Sequence, residues 1–116
     1  MKVVRLADSG AGTVLVDANA PQPRPSRGDL VIRVCAARVT PTELIWYPST
    51  HNKTGEKRTG AVPGHEFSGV IAEAGENAGS ANIGHAVFGV NDWFSDGATA
   101  EYCVPHCSAV GRNLAV

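Results

Sequence analysis

Three places in this chain hold residues whose types and spacing could do chemistry. Pro63-Gly64-His65-Glu66 sets an imidazole beside a carboxylate at the head of a strand-like run. Cys103-Val104-Pro105-His106-Cys107 puts two thiols and an imidazole within five residues, a pattern to weigh as a metal fragment. Its spacing is C-x3-C with a proline inside, and no second half-site accompanies it, so structural or incidental thiols are the plainer reading. A wider metal-binding set of His65, His85, His106 and Cys107 is an alternative that metal analysis would test. Trp46, Tyr47, Trp93 and Phe94 could wall a pocket for a flat ring, although aromatic side chains in a small β domain more often pack the core. Trp93 stands in the polar stretch Asn91-Asp92-Trp93-Phe94-Ser95-Asp96-Gly97, which makes it the better pocket candidate.

Short strands and turns must position these groups. Thirteen Gly and seven Pro punctuate the 116 residues often, which disfavours long helices. Val3 to Leu6 and Thr13 to Val16 read as strands around the turn Asp8-Ser9-Gly10-Ala11-Gly12. Pro21-Gln22-Pro23-Arg24-Pro25 excludes both helix and central strand and reads as an extended spacer. Asp29 to Val39 is the clearest strand, with Leu30, Ile32, Val34 and Ala36 toward one side. Thr40-Pro41-Thr42-Glu43 then fits a capping box, Thr40 as N-cap and Glu43 returning the bond. A helix of about two turns is expected from there, stopped by Pro48. Ser49 to Val62 has no periodicity and reads as a mobile loop of a length that is more often functional or disordered than incidental. Further strands are expected over Phe67 to Ala74, Ala86 to Val90, Ala98 to Val104 and Cys107 to Val110. The fold class is mainly β and barrel-like, with one or two short helices.

The totals narrow the function classes. One domain, residues 1–116, is the natural prior for this length. Hydrophobic residues make up 43% and charged residues 18%, so wholesale disorder is not expected. A net charge of −1 with scattered Lys and Arg argues against a nucleic-acid surface. No apolar run approaches the ~20 residues of a membrane span. The N-terminus lacks a signal-peptide core, so a cytoplasmic location is expected. Three cysteines do not suggest a disulfide framework.

Four segments, in order, are similar to one family. Gly28-Asp29-Leu30-Val31-Ile32-Arg33-Val34 resembles the G-E-V-L-V-R-V strand of medium-chain dehydrogenases/reductases, and Val39-Thr40-Pro41-Thr42-Glu43-Leu44 resembles their G-V-N-P-x-D-x helix start. Val62-Pro63-Gly64-His65-Glu66-Phe67-Ser68-Gly69-Val70-Ile71 resembles the P-G-H-E-x-x-G-V-V signature. Gly84-His85-Ala86-Val87-Phe88-Gly89 and Gly97-Ala98-Thr99-Ala100-Glu101-Tyr102 resemble G-D-R-V-x-G and G-A-Y-A-E-Y. The likeness is to the GroES-like N-terminal, substrate-binding domain, nearest to the zinc-independent, quinone oxidoreductase-like branch that uses NADPH. Departures stand at Arg38, at His85-Ala86, and in the tail Ala109-Val110-Gly111-Arg112-Asn113-Leu114.

The resemblance implies an irregular β-barrel forming one wall of a cleft, with a Rossmann domain as the other. No strand–GxGxxG–helix unit occurs here, and Gly10-Ala11-Gly12 runs into a strand instead of a helix. NADPH is therefore expected only with a Rossmann domain or partner chain, and activity of this chain alone is not expected. His65 and Glu66 occupy the positions of the zinc-site G-H-E, but Thr40 stands where zinc-dependent relatives carry a cysteine, so zinc is not expected. His65 could instead donate to a substrate carbonyl as hydride arrives, or simply be held in the barrel wall. Glu66 reads as structural, paired to an Arg. Thr40, with Thr42 nearby, could meet the nicotinamide ribose or substrate, and the cap alone is the safer reading. The expected substrate is a small carbonyl compound, a quinone or an activated enone. The rival readings are a non-catalytic binding or homo-oligomerising module and a metal-binding β domain.

Overall fold

The computed structural model describes residues 1–79 and 82–112; Asn113 and Leu114 of the tail segment lie outside that range. Strand β1 (Lys2–Asp8) pairs antiparallel with β2 (Thr13–Asn19), Lys2 opposite Asn19 and Asp8 opposite Thr13. The second sheet is wholly antiparallel. Its spatial order starts with the two-residue β6 (Tyr102–Cys103), followed by β3 (Leu30–Arg38) and β4 (Glu66–Ala74). It ends with β5 (Ala86–Val90) and β7 (Val110–Arg112). The mainly β class is as the sequence implies, but the two sheets do not close into a barrel.

The reason lies in residues 97–101. Alternation in Ala98 to Val104 reads as one strand, yet only Tyr102 and Cys103 pair in register with β3, with Val34 N–H reaching Glu101 O (2.9 Å) beside them. The donors before them serve other partners. Gly97 N–H reaches Val62 O (2.7 Å), Ala98 N–H reaches Gly64 O (2.6 Å) and Thr99 N–H reaches Pro63 O (3.1 Å). Among the described residues the sheets are linked by the bridge of Val3 with Ala100, by the bonds Val4 N–H to Thr99 O and Glu101 N–H to Lys2 O, and by Lys2 N–H to Glu101 Oε1 (2.6 Å).

The core is built from Leu30, Ile32, Phe67, Ile71, Ala78, Val87, Ala98 and Cys103. Full burial of one such aliphatic side chain contributes roughly 1.5–3 kcal/mol. In β3 the expected alternation fails at both ends. Leu30, Val31 and Ile32 are all buried, while Ala36, Ala37 and Arg38 are all exposed. Register shifts at Val31/Ile32 and Val34/Ala36 explain this, because each bulge re-aims the side chains that follow it.

The helical stretch also differs from expectation. A 3-10 turn covers Pro41–Ile45, Trp46 is extended, and a separate single-turn helix α1 covers Tyr47–Thr50. Pro48 does not stop a helix. It sits in the first turn of α1, where its missing N–H costs nothing. The loop beyond α1 is pinned by Asn52, whose side-chain oxygen accepts from Thr54 N–H (3.1 Å) and Glu56 N–H (3.0 Å). A bridge between His51 and Lys57 closes it.

Candidate functional site

Ala61, Val62, Pro63, Gly64 and His65 form a run in which every residue is buried. Its backbone is bonded from two sides, to β1 through Leu6 N–H and Ala61 O (2.8 Å) and to residues 97–99. Two glycines make that approach possible. A side chain at Gly97 would place Cβ 2.4 Å from Pro63 O, and one at Gly64 would meet Thr99 Oγ1 at 2.5 Å. Gly64 also holds φ +88°, which other residues rarely adopt.

This run delivers His65 to Glu43. Glu43 is 3% exposed, and its Oε1 accepts from Gly64 N–H (2.7 Å) and faces His65 Nδ1 (2.5 Å). Its Oε2 accepts from Thr40 N–H (3.3 Å), the carboxylate arm expected of a capping box. Ser49 Oγ–H donates to the Glu43 carbonyl (2.5 Å). One buried carboxylate thus ends a turn, ties it to the Gly64 backbone and orients an imidazole. The T-x-x-E spacing reveals the first task only, because the other two come from residues more than twenty positions away. The Thr40 hydroxyl lies 3.3 Å from that of Thr42.

His65 is buried like its partner, and its Nε2 lies 3.2 Å from Ser95 O. A carboxylate at Nδ1 demands a proton there, so Nδ1–H donates to Glu43. Trp93 covers the ring, centroids 5.3 Å apart, and meets Trp46 edge-on at 5.2 Å and 88°. Trp93 remains 45% exposed, so its outer surface faces solvent. The structure therefore brings Thr40, Thr42, Trp46, His65 and Trp93 around Glu43 and Ser95, two residues the site reading of the sequence missed. The two other cleft candidates have separate partners. Tyr47 stacks on His51, centroids 4.5 Å apart, and Glu66 turns outward from β4 to Arg38 (3.5 Å), as its pairing with an Arg implies.

The alternative metal set does not assemble. Among the described residues no three of His, Cys, Asp or Glu gather closely enough to hold an ion. His106 is occupied as the cap of the 3-10 turn Cys107–Ala109, its Nδ1 accepting from Ser108 N–H (3.1 Å). The Cys103 thiol is pushed up to about 12 by burial, and so is a poor source of thiolate. A catalytic zinc also fits the His65 corner badly. Both imidazole nitrogens face protein acceptors, and the nearby Thr40 offers a hydroxyl where Zn²⁺ prefers a thiolate. No helix among the described residues is long and apolar enough to cross a membrane.

Comparison with known proteins agrees with this architecture. The chain is similar to L-threonine 3-dehydrogenase of Deinococcus deserti, 33% identical over 114 residues, covering 98% of this chain and 31% of that protein. It is also similar to trans-enoyl reductase RAP2 of Pyricularia oryzae, 31% identical over 78 residues, which are 67% of this chain and 20% of the relative. The chain thus spans less than a third of these curated relatives. The solved quinone oxidoreductase from Coxiella burnetii shares the fold, with TM-score 0.76 and 22% identity over 99% of this chain and 37% of that one. The family model described as "Alcohol dehydrogenase GroES-like domain" matches residues 26–113, and the chain belongs to that family, within the medium-chain dehydrogenase/reductase superfamily.

Proposed function

We propose that the chain is the substrate-binding part of an NADP(H)-dependent oxidoreductase that reduces quinones or activated enones without zinc. The observation that carries this reading is the corner of Trp46, Trp93 and His65 backed by Glu43. Two indoles at right angles offer a face and an edge to a flat conjugated ring. The imidazole beside them is held at Nδ1 by a buried carboxylate, and when the ring carries a proton on both nitrogens it offers a second N–H at Nε2. The trans-enoyl reductase and quinone oxidoreductase likenesses lend support.

Reduction of such a ring places negative charge on the carbonyl oxygen, and a preorganised donor stabilises it. His65 Nε2 faces the Ser95 carbonyl at 3.2 Å, the long end of the N–H···O range. An anionic substrate oxygen is a better acceptor and would take that place, while Glu43 keeps the ring oriented. Thr40 and Thr42 would add hydroxyls at the cleft edge. The reduced nicotinamide supplies the hydride when bound, and its site is expected on a Rossmann domain.

The test follows the Trp93 indole N–H by NMR while the chain is titrated with duroquinone, NADPH or L-threonine. Duroquinone carries a methyl group at every ring carbon open to thiol addition, so it spares the exposed Cys35. A saturable shift with duroquinone, lost in Trp46→Leu, which keeps the Trp93 reporter, is expected, and NADPH should leave the resonance in place. Saturation by L-threonine, with none by the quinone, would overturn the reading.

A further inference from the structure

The Trp93 wall stands on a loop that is fastened mainly from outside. Within Asn91–Gly97, Asp92 Oδ1 accepts from Phe94 N–H (2.8 Å) and Asp92 O accepts from Ser95 N–H (3.0 Å). Backbone ties hold the loop's two ends, Asn91 N–H to His65 O (2.8 Å) and Gly97 N–H to Val62 O (2.7 Å), and the closest side-chain ties outward converge on Asp96. Its Oδ1 accepts from Val62 N–H (3.0 Å) and from Arg58 Nη2 (3.0 Å), and Arg5 Nη1 lies 3.8 Å from Oδ2. Arg58 Nη1 donates in turn to Pro48 O (2.7 Å), two residues beyond Trp46. One guanidinium therefore spans the segment that carries Trp46 and the loop that carries Trp93. It is only 15% exposed, whereas the parallel tie from Lys53 to Asp92 is long (3.9 Å) and open to solvent.

We infer that Arg58, acting through Asp96 and the Pro48 carbonyl, is a positioning residue that sets the distance and angle of the Trp46–Trp93 pair and so the width of ring the corner accepts. The chemistry suits the task. A guanidinium is a rigid planar fork that holds two acceptors in fixed relation, which a lysine ammonium on a flexible stem does not. The spacing role stands on geometry alone. Its consequence for ligand width rests on the corner being a ligand wall, as proposed above.

The two roles are read separately, on the whole chain. Indoles 5.2 Å apart at 88° couple excitonically, so far-ultraviolet circular dichroism reports their geometry without any ligand. Arg58→Lys and Asp96→Asn should each remove most of that couplet under conditions where the chain is folded, and the double variant should lose little more. Val87→Ala weakens the core cluster, to which neither indole belongs, and should keep the couplet, which separates positioning from lost stability. If Arg58→Lys does not fold, Asp96→Asn decides, since that side chain is half exposed. A full couplet in folded Asp96→Asn would overturn the inference. Duroquinone binding to Arg58→Lys should weaken about tenfold, the effect of displacing one aromatic wall. Absence of duroquinone binding to the unsubstituted chain sinks the functional reading and leaves the couplet result standing.

Discussion

His65 and His106 are the same residue in opposite circumstances. His65 is buried, and its partners Glu43 and Ser95 lie 22 and 30 residues away. His106 is exposed, and its Nδ1 partners are the hydroxyl and N–H of Ser108, two residues on. The first joins three chain segments. The second tidies a turn that would form nearly as well without it. A polar group becomes part of a site when distant segments must meet to satisfy it, because burial then makes each missing bond expensive.

The comparison can be broken most directly at Glu43. Glu43→Ala leaves Gly64 N–H and His65 Nδ1–H buried without an acceptor and should destabilise the chain by about 3–5 kcal/mol, read as a lowered urea midpoint. A loss below about 1 kcal/mol would mean that the buried corner is no more consequential than the exposed cap.

An intermediate effect is expected from the thiol next to the capped turn. The Cys103 value is pushed up to about 12 in the fold by burial, against an ordinary 9.0. Below pH 9 both states keep the proton and nothing is lost. Above it the unfolded chain releases a proton that the folded chain retains, so stability falls with pH by about 1.4 kcal/mol per unit until the folded thiol ionises near 12. Urea unfolding at pH 8, 9 and 10 should show that slope, and Cys103→Ala should flatten its share of it. An unchanged slope in the variant would show that the thiol is not held in an apolar setting. The smallest effect belongs to His106→Ala, about 0.5–1 kcal/mol, the cost of one exposed cap. A loss as large as that of Glu43→Ala would erase the contrast between the two histidines.

Much of the fold is legible because its signals are local. β-branched and apolar enrichment in Leu30 to Val34 and the apolar run from Phe67 mark β3 and β4, and Thr40-Pro41-Thr42-Glu43 marks a capped turn. The misses have physical causes. Pro48 reads as a stop because a proline ends a helix it lies within, yet here the chain restarts at Tyr47 and uses the proline in a first turn. The 98–104 strand shrinks to two residues because Gly97, Ala98 and Thr99 spend their N–H groups on residues 62–64. The aromatic wall divides, Trp46 with Trp93 and Tyr47 with His51, although Trp46 and Tyr47 are neighbours in sequence.

What the sequence by itself determined is the class of the protein. Strand periodicity, turn residues and the Pro63-Gly64-His65-Glu66 segment are short-range properties that survive without knowledge of neighbours. What only the tertiary structure decided is the site. Glu43 meets His65, and Arg58 bridges Pro48 and Asp96, through contacts whose partners lie 10 to 38 residues apart. No spacing rule encodes such contacts, because they exist only once the backbone of residues 61–65 has been closed in from both sides.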